Sequence, residues 1–93
     1  MPLYVRTVLL TGPVDEVEAA VEGHKRHLTE LREKGRLRAA GAFGRGDGFL
    51  EVFEAKDLLE AEAIARSSPI VAEGLGAWTI REWEDLERGQ LPK

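Results

Sequence analysis

Hydrophobic and polar positions along the chain fall into a few clear periods. Residues 3 to 10, LYVRTVLL, are rich in β-branched and aromatic side chains and read as a strand. Its alternation sends Leu3, Val5, Thr7 and Leu9 to one face and Tyr4, Arg6, Val8 and Leu10 to the other. Thr11-Gly12-Pro13 is a turn, with Pro13 suited to a first helical position. From Asp15 to Lys34 the period becomes helical, with Val17, Ala20, Val21, Leu28 and Leu31 as the apolar stripe. Asp15 and Glu18 have the spacing of a capping box, and Gly35 sits where helices commonly stop. Gly23 weakens the middle by about 1 kcal/mol relative to Ala, and a break is expected there.

RLRAAGAF (36–43) and FLEVFEA (49–55) read as two strands joined by the hairpin loop GRGDG. Asp57, with Glu60 three residues on, caps a second helix to about Arg66, with Leu58, Ala61, Ile64 and Ala65 facing inward. Ser67-Ser68-Pro69 ends that helix, and Ile70 to Gly74 form a further helical turn. AWTIREWE (77–84) is the last strand, and a polar tail follows.

The order β-α-β-β-α-β predicts one ferredoxin-like α+β domain over residues 1–93, an antiparallel four-stranded sheet with its helices on one face. The strands nevertheless carry apolar groups on both faces: Phe49 and Phe53 oppose Leu50 and Val52, and Trp78 opposes Trp83. A second apolar face needs a cover. A symmetric sheet-to-sheet dimer is the simplest one, so the expected macromolecular partner is a second copy of the chain.

Composition narrows the chemistry. The chain has no cysteine, which excludes a disulfide framework, a thiolate zinc site and a cysteine nucleophile, and fits a cytoplasmic location. The net charge of −4 lacks the basic excess of a nucleic-acid binder. No apolar run is long enough to span a membrane, and Arg6 interrupts the N-terminal one, so it is not a signal peptide. With no Asn, one Gln, one Met and many Glu, Arg and Leu, the usage suits a protein kept at high temperature.

The stretch GHKRHLTEL holds both histidines, His24 and His27. With Glu30 they recur at three-residue intervals, yet no further histidine or thiolate completes a metal set, so no metal or cofactor is expected. The surrounding Lys and Arg residues alternate with Glu22, Glu30 and Glu33, as on a solvated helix face. His27 lies at the edge of the apolar stripe, where a side chain can face a cleft between helix and sheet. Ser67 and Ser68 have no base adjacent in sequence.

The segment HL-x-x-L-x-x-x-G-R-L-x-x-A-G, from His27 to Gly41, resembles the YciI family, or YCII-related domain. So does Ser-Pro-x-x-x-x-G-L, Ser68 to Leu75, followed by a strand ending in an aromatic residue. The resemblance implies a sheet-to-sheet dimer and a cleft with an acid/base dyad, the histidine matching His27 and an aspartate of an Asp-Pro pair. One relative is a dehydrochlorinase acting on a chlorinated hydroquinone, and the similar dimeric barrels include muconolactone isomerases. Here the dyad position reads Ser68-Pro69, and serine carries no charge to stabilise an imidazolium. Asp47 and Glu73 are candidates to supply a carboxylate in space. His24 stands where relatives often carry arginine, and Ala42 where a proline often follows.

Two functions follow. In the first, the domain binds a small ligand in a cleft lined by His27, with Arg6, His24, Gly41 and Pro69 as ligand contacts and no catalysis. In the second, it is a cofactor-independent lyase or isomerase in which His27 is the general acid/base on a small cyclic or hydroxylated substrate and Ser68 orients the ring.

Overall fold

A computed structural model describes residues 1–84; the expected polar tail lies outside the described residues. The elements are β1 (Leu3–Leu10), α1 (Val14–Glu33), β2 (Leu37–Ala42), β3 (Gly48–Glu54), α2 (Leu58–Arg66), α3 (Pro69–Ala72) and β4 (Gly76–Trp83). The four strands form one antiparallel sheet in the order β2-β3-β1-β4, with β1 and β3 central. This is the ferredoxin-like order predicted from the sequence.

The alternation of β1 sorts its faces as expected. Tyr4, Arg6 and Val8 are buried beneath the helices, while Leu3, Val5 and Thr7 are half-covered on the opposite face and Leu9 is exposed. The register carries that open face across Leu50 and Val52 of β3 and Trp83 of β4. Strand β2 is an edge strand built largely of Ala and Gly. It gains an anchor at its start, where Arg36 donates to Glu60 across 2.8 Å.

Three local expectations are corrected. Helix α1 begins at Val14 behind Pro13 with no side-chain cap, so Asp15 and Glu18 form no capping box. Asp15 and Glu16 instead place negative charge at the positive end of the helix dipole. The helix does not break at Gly23. A Cβ there would lie 2.8 Å from Pro69 Cγ, so the missing side chain lets α3 pack directly on α1. In α2 the inward face is Ala61, Ile64 and Ala65, while Leu58 is 49% exposed. Its Asp57 cap is as expected, the carboxylate accepting from Glu60 N–H at 2.8 Å. Gly35, at φ +73°, ends α1 in the left-handed conformation that glycine adopts freely.

The helix-covered face holds two apolar clusters. Val8, Val17, Ala20, Ile70 and Leu75 form one, and Tyr4, Phe53, Ala55 and Ala61 the other. On β1 and β3 the residues between them are Arg6 and Glu51. The core is therefore divided by a polar row.

Candidate functional site

The row begins with a cross-strand pair. Arg6 of β1 and Glu51 of β3 face each other in register, and each is 1% exposed. Arg6 Nε donates to Glu51 Oε1 at 2.6 Å, and Nη1 donates to the Ala65 carbonyl of α2 at 2.9 Å. Arg6 Nη2 lies 2.5 Å from Glu51 Oε1 but makes no hydrogen bond. The other Glu51 oxygen, Oε2, is 3.0 Å from His24 Nε2, and His24 Nδ1 is 2.8 Å from Ser68 Oγ. His24 is 2% exposed and Ser68 has no exposed surface. One network thus ties β1, β3, α1, α2 and the residue preceding α3.

The proton positions follow from the carboxylate. Burial pushes the Glu51 carboxyl up, but the His24 hydrogen bond and the Arg6 charge outweigh it and hold Glu51 below the ordinary value. Glu51 is therefore an acceptor only, and His24 Nε2 carries the proton donated to it. In the neutral ring Nδ1 is then a lone pair, and Ser68 Oγ–H donates to it.

His24 also stacks on Phe49, with ring centroids 4.9 Å apart. The two residues border a cavity of about 200 Å³ between α1 and the sheet, where Glu51, Gly41 and Leu28 also reach the wall. A larger cavity, about 390 Å³, adjoins it toward the start of α1 and is lined by Val14, Val17 and Gly46. Val21 and Phe49 border both.

His27 lies elsewhere. It is half-buried on the other flank of α1, in a groove of about 250 Å³ shared with Arg26, Glu30, Ser67 and Pro69. Its Nε2 is buried without a partner. Burial, the Arg6 charge and His24 lower its pKa to about 4, so the ring is neutral at pH 7. The expected pairing of Ser68 with His27 is thus corrected: Ser68 bonds His24. The carboxylate of the network is Glu51, in place of the Asp47 and Glu73 candidates. Of the expected contacts, His24 and Gly41 share one cavity, Pro69 shares the groove with His27, and Arg6 and Ser68 are buried between. Among the described residues no cluster of three or more His, Asp or Glu side chains is placed to hold a metal ion.

Two residues had signals that the sequence reading passed over. His24 is seven residues from both Val17 and Leu31, in the middle of the apolar stripe. Glu51 sits two residues from both Phe49 and Phe53, on the inward face of a strand.

This arrangement sits in a recognised domain. The family model for the YCII-related domain matches residues 4–84, which span all seven elements. The chain belongs to the YCII-related domain family. It is 39% identical over 64 residues to the uncharacterized protein YjpA of Bacillus subtilis, a match covering 69% of this chain and 75% of that one. Among solved structures it is similar to 5-chloro-2-hydroxyhydroquinone dehydrochlorinase (TftG) of Burkholderia phenoliruptrix AC1100, in complex with 2,5-dihydroxybenzoquinone. That likeness has a TM-score of 0.76 at 18% identity, covers 92% of this chain and 97% of that one, and speaks to the fold. Within this YCII-related domain no described helix is long and apolar enough to cross a membrane.

Proposed function

We propose that this YCII-related domain binds a small oxygenated ring compound in the cleft between α1 and the sheet. The observation that carries this reading is the hydrogen-bonded His24–Glu51 pair at the wall of a largely apolar cavity with Lys25 at its rim, and with Phe49 beside the pair as a stacking surface. Apolar cavities with a few convergent polar groups are the common form of small-molecule sites. The ring-bound complex of the structural neighbour TftG supports the same class of ligand. Ser68 has no exposed surface and bonds His24 Nδ1, so its role is to position the imidazole.

Titration with hydroquinone, followed by amide chemical shifts, tests the reading. The amides of Val21, His24, Phe49 and Glu51 are expected to move, and Phe49→Ala is expected to abolish the response. No response at those positions with soluble, folded protein overturns it.

The second reading is the cofactor-independent lyase or isomerase with His27 as acid/base. The uncommitted Nε2 of His27 favours it, because both nitrogens of His24 are engaged. A pKa of about 4 makes the ring a weak base, better suited to accepting a hydrogen bond than to rapid proton transfer at pH 7. Turnover that disappears in His27→Ala, with folding and ligand-induced shifts intact, would establish it.

The open sheet face is the proposed self-association surface. It brings Leu3, Val5, Leu9, Leu50 and Trp83 together across three strands, and the helices leave it uncovered. A second copy laid on the same face buries both at once. Light scattering that gives twice the chain mass, reduced to one by Leu50→Lys, is the expected result.

A further inference from the structure

We infer that the ligand of the α1–sheet cleft is an amphiphile with a neutral hydroxyl head and an apolar arm. The head meets Glu51 and the arm extends past Phe49 into the larger cavity. This rests on the ligand reading above and adds the ligand's shape and charge.

The shape follows from the two cavities. They meet at Val21 and Phe49, which line both. The polar pair His24 and Glu51 belongs to the smaller cavity alone; in the larger one Leu10, Val14 and Val17 form an apolar wall, with Glu18 at the side. A single ring fills the smaller space and leaves the larger apolar wall wet. An arm running past Phe49 covers it.

The head group follows from hydrogen-bond accounting. Glu51 Oε1 is taken by Arg6, and Oε2 accepts one bond, from His24. A carboxylate oxygen has two acceptor positions, so Oε2 retains one. His24 has no spare donor, because its Nε2–H is spent on Glu51 and its Nδ1 on Ser68. The ligand must therefore donate. An anionic head gains Lys25 at the rim but faces the Glu51 carboxylate and has no proton for its free acceptor position. A cationic head meets Lys25 at the same rim and Arg6 behind Glu51. A neutral hydroxyl satisfies the free acceptor without either repulsion.

The test is calorimetric titration of the full chain with four probes: phenol, 4-butylphenol, butylbenzene and 4-butylbenzoate. The expected order places 4-butylphenol at least about tenfold tighter than each of the others, since the arm buries several methylenes and the head completes one acceptor. Val14→Trp fills the larger cavity from an exposed position that the core does not use. It is expected to reduce 4-butylphenol to the affinity of phenol and to leave phenol unchanged. Phenol binding as tightly as 4-butylphenol overturns the arm, as does an unaffected Val14→Trp protein. Butylbenzene or 4-butylbenzoate equalling 4-butylphenol overturns the hydroxyl head. Phenol-only binding at the Phe49 cavity keeps the ligand reading and removes this inference; failure of all four probes removes both.

Discussion

Neutralising Glu51 tests whether the polar row is held together by charge. In Glu51→Gln the amide oxygen can still accept from Arg6 Nε. The amide N–H can donate to His24 Nε2 if that ring shifts its proton to Nδ1 and donates to Ser68. The hydrogen bonds survive, and the lost quantity is the negative charge opposite an Arg6 that is 1% exposed. Stranding one member of a buried ion pair costs about 3–5 kcal/mol. Because Arg6 Nη1 keeps its bond to the Ala65 carbonyl, we expect the lower end, about 3 kcal/mol. Arg6→Met strands the carboxylate instead, with the His24 donor still present, and should cost about the same. The double variant strands neither and should lose much less than the sum. Urea denaturation of the four proteins gives the coupling energy directly, and a value above about 2 kcal/mol is expected. Additive losses, or a Glu51→Gln loss under about 1 kcal/mol, would refute the argument that these charges depend on each other.

Other substitutions probe the surroundings of that pair. Gly23→Ala should destabilise despite the helix propensity it gains, because its Cβ meets the rigid Pro69 ring at 2.8 Å; a net loss of about 1–2 kcal/mol by denaturant unfolding is expected. Ser68→Ala leaves His24 Nδ1 buried without a partner and should cost about 1–3 kcal/mol, measured the same way, with a shifted His24 ring resonance as the local signature. His27 makes stability fall as pH drops from about 6.5 to about 4, since the unfolded ring takes up a proton that the folded ring refuses. Its full shift would correspond to about 3 kcal/mol, and screening by solvent at the half-exposed ring reduces the expected loss to about 1–2 kcal/mol. Thermal melts across that window should show wild type losing about that much stability relative to His27→Gln, which does not titrate.

The strands and helices were legible because most of their residues obey one period at a time. In β1 the same alternation that buries Tyr4 and Val8 also turns Arg6 inward, so even the charged member was placed on its face. The site was harder, for a physical reason. Its members are polar residues at core positions, and reading by polarity pushes such residues to the surface. His24 falls in the apolar stripe by spacing, yet His27, one position off it, resembled the family dyad more closely. Glu51 was not singled out, though its neighbours at two-residue spacing are both inward-facing phenylalanines. Which histidine Ser68 meets depends on how α3 seats on α1, and that contact is set by a missing side chain at Gly23. A glycine in mid-helix signals weakness until its packing partner is known.

A buried ion pair is seldom the most stable filling for a core, and apolar residues of similar volume often do as well or better. The polar row occupies the junction of two apolar clusters that such residues could join into one. Stability alone therefore gives little reason for Arg6, Glu51, His24 and Ser68 to be there. The row does reach a cavity wall through His24 and Glu51, which is what binding would require of it. The Arg6→Met, Glu51→Gln double variant separates the two explanations. If it keeps nearly the parental stability and loses the hydroquinone response, the row is present for the ligand. If it unfolds more readily and binds as before, the row is structural, and the cleft holds its ligand through the apolar wall at Val21 and Phe49.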